Sequence, residues 1–268
     1  MNRYAAPVVM LAVLAALAVV GTAGASHRVT SPVKGSFKYC GDPTFPPMES
    51  TTKAGKPVGF DIDMANAVAK LWKVKAKFVQ TSFPGLLPGL ASKKCNIVIS
   101  GVFITADRLK QFPAVAYMKS HRTLVVQGGN PKRIKGPNDL SGKNVAVQAG
   151  TKYEEYLKGL NDQFKSSGRA QMNLQSYPGD TDAVAQLLIG RADAVLTQDV
   201  SGAFQRKQNP GKLAIGYVFP ATDTFGIYYR KSDTKLGTAL RVAIKTLKKN
   251  GTLKKIATKY QIPVSDVK

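Results

Sequence analysis

The sequence predicts an α/β protein made of two units, and three observations predict it. Short apolar runs end on glycine or polar turns and alternate with segments whose apolar residues recur at helical spacing. The order strand, helix, strand occurs in the first half of the chain and again in the second. At 268 residues the chain is also long enough to bury two cores.

Residues 1–25 open with Arg3, continue through an apolar core over residues 8–20 and end on Ala23-Gly24-Ala25 before Ser26. This is the pattern of a secretory signal peptide cleaved after Ala25. The apolar run is short of the roughly 20 residues a membrane span needs, and small side chains suit the protease pocket. No cysteine follows the site directly, so a lipid anchor is not expected.

The chain has 39 Lys and Arg against 16 Asp and Glu, a formal charge of +23. Loss of residues 1–25 removes Arg3 alone and leaves +22. Such a balance suits nucleic acid, an anionic envelope surface or a well-solvated exterior. The lysines are scattered, as at Lys73, Lys75 and Lys77 or Lys248 and Lys249, with no basic block interleaved with aromatics. Together with export, this excludes nucleic acid as the expected partner. Cys40 and Cys95 share an oxidising compartment, but one is expected near the end of a strand and the other at the start of its parallel neighbour. Their pairing therefore stays open. The two cysteines with His27 and His121 have no ligand spacing, so no metal and no cofactor are expected.

Residues 35–42 read as a first strand, closed by a loop, Asp42-Pro43-Thr44-Phe45-Pro46-Pro47, that three prolines stiffen. Gly59 to Asp63 opens a helix that an aspartate is expected to cap, with Ile62, Ala65, Val68, Ala69 and Trp72 on its core face. Residues 75–80 form a second strand and residues 86–92 a short helix. The apolar run at residues 97–99 is a third strand, ending at Ser100-Gly101. Three parallel strands with right-handed crossovers gather the following loops at one rim, so Phe45, Phe83, Ser100 and Arg108 converge. Ser100 and Thr105 supply hydroxyls there, and Arg108 supplies a planar fork matched to a carboxylate.

Around Tyr117 to Arg122 the chain passes into the second unit. Residues 123–127 and 144–148 read as strands, the latter ending in Ala149-Gly150-Thr151 before a helix over residues 153–160. A turn entering a helix presents unpaired N–H groups and the positive end of the macrodipole, a ready carboxylate site. Residues 174–177, 181–189 and 192–197 repeat strand, helix, strand and end on the polar pair Gln198-Asp199. Residues 225–230 are strand-like, and helices over residues 234–249 and 252–260 close the chain.

The segments DPTFPPMES, GFDIDMANAVAKLW, FVQTSFPGLLPGL, ISGVFITADR, VAVQAGTKYEEYL, GRADAVLTQDV, FGIYYRK and NGTLKKIATKY stand in one order. Together they resemble the bacterial extracellular solute-binding proteins of family 3, the binding proteins of amino-acid ABC importers. The resemblance implies the type II periplasmic binding protein fold, two α/β lobes joined by two hinge strands that close over a solute. It implies lobe one over residues 35–119 and 224–268 and lobe two over residues 120–223. It also implies a site: Asp42 for a ligand's ammonium or side chain, and Phe45 and Phe83 as apolar walls. Ser100 and Gly101 would hold the ligand by hydroxyl or backbone, Arg108 would pair with the α-carboxylate, and the Gly150-Thr151-Lys152 turn would meet that carboxylate from the second lobe.

The chain departs from the family pattern at two positions. Phe103 stands where relatives usually have Ser or Thr, and Gln198 stands where relatives usually have the Asp that binds the α-ammonium, with Asp199 one place later. Lys152, where many relatives have threonine, adds positive charge near the mouth. Either Asp199 serves in place of Gln198, or Asp42 and Gln198 hold the amino group, or the ligand lacks a primary ammonium.

The expectation is a monomeric periplasmic protein that captures a small carboxylate-bearing solute, an amino acid or derivative, and delivers it to the membrane subunits of an ABC permease. Two other readings share the scaffold. An enzyme of the cyclohexadienyl or arogenate dehydratase kind would need a positioned acid in the cleft, for which Asp42 and Asp199 are the candidates. A sensor presenting its ligand to a membrane receptor would use the same closed form.

Overall fold

The computed structural model describes Met1 and residues 31–268, so the expected signal segment lies outside the described residues beyond Met1. The chain begins with β1 (Ser36–Gly41), then the short strands β2 (Thr44–Phe45), β3 (Glu49–Thr51) and β4 (Pro57–Val58), and then α1 (Phe60–Trp72). There follow β5 (Lys75–Gln80), α2 (Leu86–Ala91), β6 (Ile97–Val98), α3 (Ala106–Gln111) and the long strand β7 (Ala114–Gln127). The second half runs β8 (Asn144–Gln148), α4 (Lys152–Ser166), β9 (Asn173–Tyr177), α5 (Asp180–Leu188), β10 (Ala194–Gln198) and α6 (Asp199–Gln208). The long strand β11 (Leu213–Tyr229) and the helices α7 (Thr234–Lys249) and α8 (Thr252–Lys259) complete it.

β5, β1 and β6 are parallel, with Gly41 opposite Gln80 and Cys40 opposite Val98, so their carboxyl ends share one rim. β9, β8 and β10 make a second parallel set, with Gln148 opposite Tyr177 and Val147 opposite Leu196. β7 and β11 run antiparallel between the two sets and join them, giving the strand order β5-β1-β6-β11-β7-β10-β8-β9. Their pairing slips between Val218 and Thr222, opposite Thr123 and His121, where the crossing strands are more exposed. This is the type II periplasmic binding protein architecture, two α/β lobes on two shared strands.

Helical spacing is borne out in burial. On α1 the side chains of Ile62, Ala65, Val68, Ala69 and Trp72 are all buried, as the pattern predicts. On α7 Leu236, Leu240, Ala243, Ile244 and Leu247 form one buried stripe, and each fully buried leucine contributes roughly 1.5–3 kcal/mol. The expected aspartate cap on α1 is not formed. Gly59 takes the N-cap position without a side-chain bond, and Asp61 turns inward to a fully buried site.

The sheet is longer than periodicity suggests. β7 and β11 reach well beyond residues 123–127 and 225–230, through stretches such as His121-Arg122 and Pro220-Ala221 that carry no apolar alternation. Ladder pairing flanks these stretches, with Thr222 opposite His121 and Arg122 opposite Gln198 of β10, while Pro220-Ala221 fall in the register shift, so backbone pairing on either side defines the strands where the hydrophobic pattern is missing. The pairing left open in the sequence is formed: Cys40 and Cys95 make a disulfide with Cα atoms 5.7 Å apart. Cys95 lies before β6 on the turn that leaves α2, so the strand spacing does not hold it away from Cys40.

Candidate functional site

The rim after β6 is held from behind by buried acids. Ser100 Oγ accepts a hydrogen bond from the Asp42 N–H (2.9 Å) and donates to Glu49, while the Gly101 N–H donates to Asp61 Oδ2 (3.0 Å) and to the Tyr117 hydroxyl oxygen (3.2 Å). Tyr117 in turn donates to Asp61 Oδ2 at 3.0 Å. Glu49 and Asp61 are both fully buried and face each other; burial and the neighbouring charge push the Glu49 carboxyl well above its usual range. Burial raises Asp61 to about 6, against the pull of the hydrogen bonds from Glu49, Tyr117 and Gly101. A neutral Glu49 donating to an ionised Asp61 fits these directions, leaving the pair one negative charge. Gly101 must be glycine: its φ is +53°, and a Cβ there would lie 2.6 Å from the Phe45 ring.

Asp42, at the end of β1, is 2% exposed and fully engaged. Its Oδ1 accepts from the Thr44 N–H (3.1 Å) and hydroxyl (2.9 Å), and its Oδ2 accepts from the Phe83 N–H (3.0 Å) and from Gln148 Nε2 of the second lobe (2.8 Å). Burial raises its carboxyl pKa, and these hydrogen bonds oppose the rise.

Arg108 sits in the first turn of α3. Thr105 Oγ1 caps this helix by accepting the Arg108 N–H at 3.3 Å, so that hydroxyl is structural rather than free. The guanidinium lies half-buried with Nη1 donating to the Phe103 carbonyl (3.0 Å) and its carbon 5.9 Å from the Phe83 ring centre. Among the described residues it has no ion-pair partner. A partly desolvated cation without a counter-charge is a costly arrangement that an anionic ligand would relieve.

Across the cleft, Thr151 caps α4 by accepting the Glu154 N–H (3.2 Å), and its hydroxyl donates to the Gln148 carbonyl (2.8 Å). The first-turn N–H groups of Lys152 and Tyr153 lie beyond that cap, at the positive end of a 15-residue helix. Lys152 Nζ reaches the exposed Glu155 at 2.6 Å and, over the cleft mouth, Asp107 at 3.9 Å. Gln198 ends β10 at 6% exposure, and its amide makes no hydrogen bond among the described residues.

These groups meet around one small, nearly closed interlobe cavity of about 10 Å3. Of the residues singled out in the sequence, Phe45, Phe83, Ser100, Gly101, Phe103, Arg108, Thr151, Lys152 and Gln198 line it. Asp42, Gly150 and Asp199 do not. Asp42 stands behind Gln148; the Gly150 N–H is taken by Glu154 (2.7 Å), and a Cβ at Gly150 would press against Pro84 across the cleft. Asp199 accepts from the Ser120 hydroxyl (2.7 Å) and the Val200 N–H (2.8 Å) and borders a different groove with Phe204 and Tyr260. The candidate acids of an enzyme, Asp42 and Asp199, are thus both turned away from this cavity.

Two lining residues were not singled out, Gln148 and Tyr153. Gln148 is a polar residue ending the apolar strand NVAVQ, the same local signal that Gln198 carries at the end of β10. Tyr153 reads as an ordinary helix-start aromatic; its edge-on packing against Phe103, 5.4 Å between ring centres, is a long-range contact with no local signal.

Residues 37–262 match the model of the bacterial extracellular solute-binding proteins, family 3. The chain belongs to that family. It is 31% identical to the L-cystine-binding protein of Escherichia coli K12 over 219 residues, covering 81% of this chain and 79% of the relative. An ancestral arginine-binding protein solved with arginine superposes with a TM-score of 0.78 at 34% identity, over 85% of this chain and 98% of that one. An ancestral amino acid-binding protein, described as a precursor of cyclohexadienyl dehydratase, superposes at 0.76 with 30% identity, over 84% and 95%. This family 3 chain is a solute-binding protein rather than an enzyme, in keeping with relatives named for binding.

Proposed function

We propose that this family 3 protein is the periplasmic receptor of an ABC importer, capturing a small carboxylate-bearing solute, an amino acid or derivative, between its lobes. The observation that carries the reading is Arg108, a half-buried guanidinium without an ion-pair partner among the described residues, on the same cavity as the first turn of α4. A carboxylate between them gains a bidentate fork from one lobe and helix N–H groups from the other, so binding and lobe closure are one event. Phe45, Phe83 and Phe103 would enclose the rest of the solute, and Lys152 would add attraction at the mouth. The closed form is what a permease would recognise, with the protein acting as a monomer because both jaws belong to one chain.

The lobes in this reading comprise residues 35–119 with 224–268, and residues 120–223. The slip in the pairing of β7 and β11 near Val218 and Thr222 supports a hinge there. Relatives named as periplasmic support export, with a signal peptide removed after Ala25.

The test is calorimetry on purified protein with a panel of amino acids and related carboxylates, repeated with Arg108→Ala. Truncating one partner of a buried, hydrogen-bonded charge pair costs about 2–5 kcal/mol, so the variant should bind at least thirtyfold more weakly. Unchanged affinity would remove the carboxylate from Arg108.

A further inference from the structure

The charges around the cavity are one-sided. Among the described residues its lining includes the cations Arg108 and Lys152 and no carboxylate residue. Each nearby acid is accounted for elsewhere. Asp42 accepts four hydrogen bonds, two of them on the oxygen that faces the second lobe. Glu49 and Asp61 lie beneath Ser100 and Gly101, whose hydroxyl and N–H intercept them. Asp180 is held by the hydroxyls of Thr197 (2.6 Å) and Ser201 (2.7 Å), and Asp199 by Ser120 and Val200. Asp107 and Glu155 near the mouth are 71% and 68% exposed, where water screens them. What faces the cavity at the end of β10 is the amide of Gln198, neutral and without a partner of its own.

We infer that the cleft selects a carboxylate that carries no cationic group: its neighbouring substituent is neutral and hydrogen-bonding, as in a 2-oxo acid or an N-acylated amino acid. The inference rests on the carboxylate reading of Arg108 and narrows its ligand. An ammonium in this cavity would lose its hydration beside Arg108, unpaired among the described residues, and meet no carboxylate in the lining, which disfavours it strongly. A keto oxygen or acyl amide asks for a neutral donor or acceptor, and Gln198 offers both. The aromatic sides at Phe45, Phe83 and Phe103 accept an uncharged remainder. A guanidinium side chain of the kind held by the ancestral arginine-binding protein would need a free acid, and Gln148 already occupies Asp42.

The experiment titrates the refolded, ligand-stripped full chain by calorimetry with matched sets: free L-amino acids, their N-acetyl derivatives and their 2-oxo acids. At least one derivative should bind tenfold or more tightly than its parent amino acid, and which set it comes from distinguishes the two sources. Gln198→Asp should reverse the order, improving a free amino acid over its derivatives by tenfold or more. A wild-type preference for any free amino acid over both derivatives, lost in Arg108→Ala, overturns this inference and leaves the carboxylate reading intact. Binding indifferent to Arg108→Ala overturns both, and no binding by any set overturns the inference.

Discussion

On the first-lobe side of the cleft the Ser100-Gly101 turn rests on Glu49, Asp61 and Tyr117, with Cys40 and Cys95 joined close behind, whereas the second-lobe side presents the amides of Gln148 and Gln198 and the capped start of α4. One jaw is braced by a buried acid network and a covalent link. The other meets the cavity with two neutral amides and the cation Lys152 and, among the described residues, has one buried acid, Asp180, close below. A binding protein that closes on its ligand gains from this asymmetry. The braced jaw keeps the guanidinium fork in place, and the lighter jaw forms contacts that can also be broken.

The largest effect that tests the contrast is on stability. The disulfide closes a loop with a sequence separation of 55, and removing such a constraint from the unfolded chain costs about 4 kcal/mol in the loop-entropy account. Cys40→Ala with Cys95→Ala should therefore lower the urea midpoint strongly, and a reducing agent should do the same to the natural protein. If the double variant unfolds at the midpoint of the parent, the first lobe is not the stapled one.

Next comes Asp180, the acid of the second lobe that is buried among the described residues. Burial raises the Asp180 carboxyl to about 6, while the Thr197 and Ser201 hydroxyls pull it down. An unfolded aspartate titrates near 3.9, so between about pH 4 and pH 6 the folded chain holds a proton that the unfolded chain lacks. The stability this gives is complete below about pH 4 and is lost as the pH rises to about 6, at about 1.4 kcal/mol per pH unit. Asp180→Asn should flatten that slope in urea unfolding series across the interval. Identical slopes in variant and parent would mean that Asp180 ionises in the fold as it does in water.

Much of this organisation is legible in the sequence, for reasons that also mark where legibility stops. The βαβ order, the core face of α1 and the gathering of Phe83, Ser100 and Arg108 follow from short-range periodicity plus the handedness of crossovers. What periodicity cannot carry is a group whose partner lies on a distant element. Asp61 looks like a helix cap in GFDID and is instead the acceptor for Gly101 and Tyr117, 40 and 56 residues away. Asp42 looks like a free ligand carboxylate, yet Gln148, 106 residues on, takes its Oδ2. Likewise, the middle of β11 lacks alternation because it crosses between the two sets of strands at a register shift against β7, where no packed face imposes a pattern.

The smallest predicted effect concerns that last contact between the jaws. Gln148 Nε2 to Asp42 Oδ2, at 2.8 Å, joins a second-lobe strand end directly to a first-lobe loop, beside a weaker bond from the Asp180 N–H to Thr44 Oγ1 at 3.3 Å. A hydrogen bond to a buried carboxylate contributes about 1.5–3 kcal/mol, but opening the cleft returns both groups to water, so the net bias towards closure is about 1 kcal/mol. Gln148→Leu should shift the open-to-closed ratio of ligand-free protein about fivefold towards open, with little change in unfolding midpoint because the bond forms between lobes and not within one. Small-angle scattering reads the change as a larger radius of gyration without ligand that returns to the parent value when ligand is added. An unchanged radius would place the control of closure in the hinge strands β7 and β11, and the two jaws would then differ in rigidity alone, not in what draws them together.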